Sequence, residues 1–245
     1  MQAGITPRIV CVNKATVPLG VDFDLLIAAL QKYVDEHLAP VWGTPAKLVR
    51  TTKPRRGDWT LLFVDTAKAI RGLRSELEKL FGKGVVNEIE SVHLVRGQPA
   101  AFVFVENVLK DPAVPRDRDK VSLAASHELA EMLVDPGNNL WAEAGKGLLY
   151  AYEVCDAVES TFFRVNGLAM TDFLYPAYFN KIHKPKSAQL DHLKKVKRPF
   201  QILKDGYAPV RKAGKIKMKI VLLSSPKKRR ELRKENRDLH RTEFR

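Results

Sequence analysis

Apolar and polar residues alternate in "RIVCVNK" (8–14), which predicts a strand. Apolar residues then recur at helical spacing through "VDFDLLIAALQKYVDEHLAPVW" (21–42), predicting a helix that runs up to Pro40. "AKLVRTT" (46–52) and "WTLLFVDT" (59–66) read as two strands joined by the basic, Pro- and Gly-containing turn "KPRRGD". "IRGLRSELEKLFGKG" predicts a short helix ended by glycine. "SVHLV" (91–95) and "AAFVFVEN" (100–107) predict further strands, the second apolar enough to be mostly buried. The loop "LKDPAVPRDRDK" (109–120) leads to a helix containing "ASHELAEMLVDP" (125–136), which Pro136 and Gly137 terminate. Residues 147–179 are aromatic and strand-like, broken by an Asn-Gly turn at 166 and 167. A last strand is predicted in "KIKMKIVLL" (215–223) and a last helix in residues 226–244.

The pattern of "ASHELAEMLVDP" has a chemical consequence. At about 100° per residue, with His127 at zero, Glu131 falls near 40°, Asp135 near 80° and Glu128 near 100°, so all four share one face. Leu123, Ala125, Leu129, Ala130, Met132, Leu133 and Val134 cover nearly all the rest, interrupted only by Ser122 and Ser126. A helix apolar on most sides is buried, and its charged stripe is expected to face a cleft. A solvated amphipathic face is the alternative. Against it, a basic protein would mix Lys or Arg into such a face, because like charges one turn apart repel by about 0.2–0.5 kcal/mol even in water. A bound divalent cation is the simplest relief in a partly desolvated site.

Composition and charge sharpen this picture. The 245-residue chain, 45% hydrophobic and 29% charged, is long enough for one core or a core with an appendage. No run approaches the roughly 18 apolar residues of a membrane span, and the first residues lack the apolar centre of a secretory signal. The expectation is therefore a cytoplasmic chain with no membrane association and no export by a standard signal. Cys11 and Cys155 are too few for a disulfide framework or a four-thiolate zinc site, and read as reduced, buried thiols. Of the net charge of +14, residues 181–245 carry +16, with 22 Lys and Arg against 6 Asp and Glu, while the first 180 residues are near neutral at −2. The organisation expected is an α+β domain over residues 1–180 and a basic extension over 181–245.

The residues in the stripe carry a resemblance. "SHELAE" resembles the active helix of zinc-dependent peptidases of the zincin class, in which HExxH supplies two metal ligands and a general base; here Glu131 stands in place of the second histidine. The longer pattern "SHELAEMLVDP", "YEVCDAVE", "GLAMTDFLYPAYF" is similar to HExxE proteins of phages and prophages, over roughly residues 120–180. The order strand, helix, strands, buried helix is compatible with a zincin-like mixed sheet. The resemblance implies one divalent ion, with zinc favoured; one imidazole with two carboxylates is a harder set than the usual, which leaves manganese or iron open.

The chemistry also follows from spacing. His127 and Glu131, four apart, can converge on one ion, and Glu128, offset around the helix, is suited to take a proton from an attacking water. A third ligand is expected from "YEVCD", either Glu153 or Asp156, since strand alternation would point them to opposite faces unless the chain turns there. Asp135 is a rival ligand, or a residue that orients one or caps local backbone groups near Pro136. Met170 reads as core rather than as a floor to the site, and Tyr150 or Tyr152 could donate to an oxyanion. His37, His93, His183, His192 and His240 lack a paired ligand motif and read as structural or surface residues.

In the basic quarter, "KKRRELRKENRDLHR" suits phosphates or an acidic protein surface, but Glu231, Glu235 and Asp238 can pair with its cations at helical spacing. No finger, stacking platform or glycine phosphate loop is present in the sequence to suggest base-specific recognition. The function expected is metal-dependent hydrolysis of a peptide or protein substrate. The alternative is a non-catalytic phage structural or assembly protein whose basic extension binds a virion protein or nucleic acid.

Overall fold

A computed structural model describes residues 6–110, 112, 114–180, 188–213 and 218–224, with side chains described as far as Arg211. In chain order the elements are β1 (Arg8–Asn13), α1 (Phe23–Tyr33), α2 (Ala39–Trp42), β2 (Lys47–Arg50), β3 (Trp59–Val64), α3 (Leu73–Phe81), β4 (Ser91–Arg96), β5 (Gln98–Phe104), α4 (Val105–Leu109) and α5 (Asp117–Val134). They continue as β6 (Trp141–Gly145), β7 (Leu148–Ala151), β8 (Phe162–Val165), β9 (Leu168–Thr171), β10 (Tyr207–Ala213) and β11 (Met218–Ser224). The class is mixed α and β. None of the described helices is long and apolar enough to cross a membrane. The expected helix of residues 226–244 lies outside the described residues.

The chain forms two compact units, each assembled from separate segments. The first comprises residues 1–71, 87–138 and 163–171. Its sheet has the order β2-β1-β3-β5-β4, in which β1, β2, β3 and β5 run parallel and β4 alone is antiparallel, joined to β5 through Gly97. The central strands are buried from Ile9 to Cys11, Leu61 to Val64 and Ala100 to Phe104, so they read as apolar runs rather than alternations. Asp22 starts α1 by accepting from the Asp24 and Leu25 N–H groups.

Pro40 does not end this helical stretch. A π-helical turn at Val34–Leu38 intervenes, Pro40 enters the first turn of α2 where no N–H is required of it, and left-handed Gly43 stops the helix. The apolar run after residue 100 is likewise split: β5 ends at Phe104 and α4 begins at Val105.

The second unit holds residues 72–86, 139–162 and 172–245, with an antiparallel sheet of order β11-β10-β7-β6. Tyr150, Ala208 and Val210 form one buried cluster on this sheet, with Phe200 and Ile202 packed against them, and Val154, Val158, Phe173 and Leu174 are fully buried in the same unit. Because β10 pairs with β7, residues 207–213 of the basic quarter are part of a folded sheet. The predicted strand in 215–223 is realised as β11 over its described residues.

Candidate metal centre

Helix α5 is held through the side opposite its charged stripe. Asp119, Ser122 and Ser126 fall within about 60° of one another and roughly opposite that stripe. All three bond the β8–β9 hairpin: Asp119 Oδ1 accepts from the Ala169 N–H at 3.2 Å, Ser122 Oγ donates to the Ala169 carbonyl at 2.7 Å, and Ser126 Oγ accepts from the Thr171 N–H at 2.9 Å. The hairpin turn is the expected Asn166-Gly167, both residues at positive φ. Arg164 on β8 donates to Asp119 at 2.6 Å. Burial pushes the Asp119 carboxyl up, but Arg164 and the Ala169 N–H outweigh it and hold the group below the usual carboxylate range. The two serines that interrupt the apolar surface therefore fix the rotation of α5 about its axis.

That rotation turns the stripe inward rather than to solvent. Glu128, Glu131 and Asp135 are 5%, 3% and 4% exposed, which excludes a solvated amphipathic face. Strand β4 supplies the partners. Ser91 and His93, two apart and so on one face of β4, reach Glu128 together: Ser91 Oγ donates to Oε1 at 2.7 Å, and His93 Nδ1 lies 3.1 Å from Oε2. An ionised carboxylate only accepts, so this bond requires a proton on Nδ1. His93 Nδ1 is also 3.7 Å from Glu131 Oε2, and His127 Nε2 is 3.2 Å from that same oxygen. Burial pushes the Glu128 carboxyl up, yet the His93 hydrogen bond, the charges of His127 and His93, and the Ser91 hydroxyl leave it below its ordinary value.

His93 was expected to be a structural or surface residue, and the structure excludes the surface alternative: it is buried against two members of the stripe. A sequence signal existed in "SVHLV", where Ser91 and His93 are the polar positions of an otherwise apolar strand. Nothing local says which helix that face meets.

His127 and Glu131 come together as their spacing predicts. Asp135 is not a helical residue of the stripe: it caps α5, with its N–H bonded to the Glu131 carbonyl at 2.8 Å and its own carbonyl accepting from the Asn138 N–H at 2.9 Å. Glu153 and Asp156 belong to the second unit, and the strand expected there is replaced by a turn: Glu153 precedes it and Asp156, 3% exposed, opens a 3-10 turn at Asp156–Val158. Met170 is core on β9. Tyr150 lies in the second unit's core beside Phe200, and Tyr152 stacks on Phe179 with its hydroxyl pKa raised by burial.

The residues of the stripe fit a divalent ion. An imidazole nitrogen and a carboxylate oxygen separated by 3.2 Å match the roughly 3.3 Å edge between ligands about 2.0–2.1 Å from one tetrahedral ion. Comparison with protein-family models, curated proteins and solved structures returns no match.

Proposed function

We propose that the chain is a metal-dependent hydrolase acting on peptide bonds, built on a zincin-like arrangement within its first 180 residues. The observation that carries this reading is the pair of half-buried His127 and buried Glu131, with buried Glu128 beside it on the same helix. His127 and Glu131 are the ligands, and an imidazole with a carboxylate suits zinc, with manganese or iron as alternatives. A bound divalent ion supplies Lewis acidity for a carbonyl and lowers the pKa of water. Glu128 accepts the proton of the attacking water. Ser91 and His93 prevent its carboxylate from swinging away. The zincin-like order of strands and helices supports the reading, as does the mixed sheet with α5 buried beside it. The basic residues after 181 are assigned to a virion protein or nucleic acid partner, consistent with a cytoplasmic or virion location.

One observation favours a second reading, a metal-stabilised structural protein with no hydrolysis: both Glu128 oxygens already accept a hydrogen bond. Glu128→Gln separates the two. With elemental analysis confirming metal in wild type and variant, cleavage of a peptide library falls by about 10² or more if Glu128 is the base. Equal cleavage by both proteins removes Glu128 from the chemistry. No cleavage by either, with metal bound, selects the structural reading.

A further inference from the structure

The side of Glu131 that faces β4 is built differently from the side that faces His127. His93, Glu128 and Glu131 each offer one atom, and these atoms lie within 4.8 Å of one another in a fully buried group. Two of the edges are 3.1 and 3.7 Å. The longer is outside hydrogen-bonding range, so it is not a bond that holds His93 in place. Both edges nevertheless bracket the roughly 3.3 Å spacing of two ligands on one ion. Glu131 Oε2 is the shared point, approached by His93 Nδ1 and by His127 Nε2.

We propose that this is a second ion site, held by His93, Glu128 and Glu131, with the Glu131 carboxylate bridging to the ion held by His127. The proposal rests on the reading of His127 and Glu131 as ligands. Carboxylate-bridged pairs place their ions about 3.5–4 Å apart, a span that one carboxylate can cover. One imidazole and two carboxylates also suit a harder divalent ion than a thiolate or all-histidine set does, which favours manganese at the second position. Binding is an exchange: the proton on His93 Nδ1 that bonds Glu128 leaves to solvent, and the ion takes its place on the nitrogen lone pair. Glu128 then serves as a ligand when both ions are present and as the proton acceptor when only the His127 ion is bound.

Manganese(II) titration of the full chain, read by bound metal after desalting and by electron paramagnetic resonance, tests this. Two ions per chain with an exchange-coupled spectrum are expected of wild type. His93→Ala, and His93→Gln as a milder change, are expected to bind one ion with the six-line signal of isolated manganese, with circular dichroism unchanged. Glu128→Gln is also expected to bind one, while His127→Ala loses the other ion and the coupling. A single ion in wild type, lost in His127→Ala and kept in both His93 variants, overturns the second site and leaves the proposed hydrolase intact. A single ion lost in the His93 variants and kept in His127→Ala overturns both. So does the absence of bound manganese and zinc from wild type.

Discussion

Asp172 and Asp191 in the second unit are both 0% exposed and share a hydrogen bond between their carboxyl groups. Two buried carboxylates in contact hold one proton between them. Asp172 Oδ1 accepts from the Phe173 and Leu193 N–H groups, while Asp191 accepts from the Lys195 and Val196 N–H groups. Thr161 Oγ1 lies 2.8 Å from both Asp172 Oδ2 and the Val158 carbonyl; having one proton, it can accept from Asp172 while it donates to Val158. Tyr175 and His192 are the other titratable groups nearby, bonded to each other at 3.2 Å, and His192 stacks on Phe173. Burial chiefly, with the Asp191 charge and shared bond, raises the Asp172 carboxyl from 3.8 to about 7. The sign follows. Below pH 3.8 folded and unfolded chains are both protonated there and stability is fully present; it is lost as pH rises from about 4 to 7 and is flat above. Three pKa units correspond to about 4 kcal/mol. Asp172→Asn stays neutral at every pH, with its carbonyl accepting from Phe173 and Leu193 and its amide donating to Thr161. Urea denaturation of wild type and variant at half-unit steps from pH 4 to 8 is the assay. The variant is expected to gain on wild type by a few kcal/mol across that range, with slower amide exchange of Leu193 and Val196 at pH 8. Parallel stability profiles would refute the shared proton.

Asp119→Ala should cost about 2 kcal/mol, because it leaves the buried Ala169 N–H without its acceptor and Arg164 without its carboxylate. The wild-type Asp119 carboxyl is held below its ordinary value, so its contribution is present above pH 3.8 and lost as pH falls through the folded value. Acid titration by circular dichroism should therefore separate wild type and variant near neutrality and bring them together toward low pH. Gly206→Ala should destabilise by about 1–3 kcal/mol, since a Cβ there would meet the Ala157 carbonyl oxygen at 2.6 Å and its carbon at 2.8 Å. Thermal melting detects the loss, and an unchanged midpoint would mean that the 157 and 206 backbones separate at no cost.

The sequence by itself determined the elements and half of the candidate site. Apolar period marked β1, α1, β3, β5 and α5, because a strand or helix must bury one side whatever it packs against. Four-residue spacing brought His127 to Glu131, because two side chains one turn apart on a helix meet without help from the rest of the chain. Glu128 followed from the same local geometry. Tertiary structure decided what that geometry meets. The rotation of α5 depends on hydrogen bonds from Asp119, Ser122 and Ser126 to a hairpin some 40 to 50 residues away in the chain. The antiparallel placement of β4 at the sheet edge brings Ser91 and His93 to Glu128 across 35 to 37 residues. The Asp172–Asp191 pair likewise depends on a backbone bridge from Leu174 to Asp191. Each of these joins segments remote in sequence, where no periodicity is shared; only the packing of a strand against a helix or a loop selects which polar residues face one another.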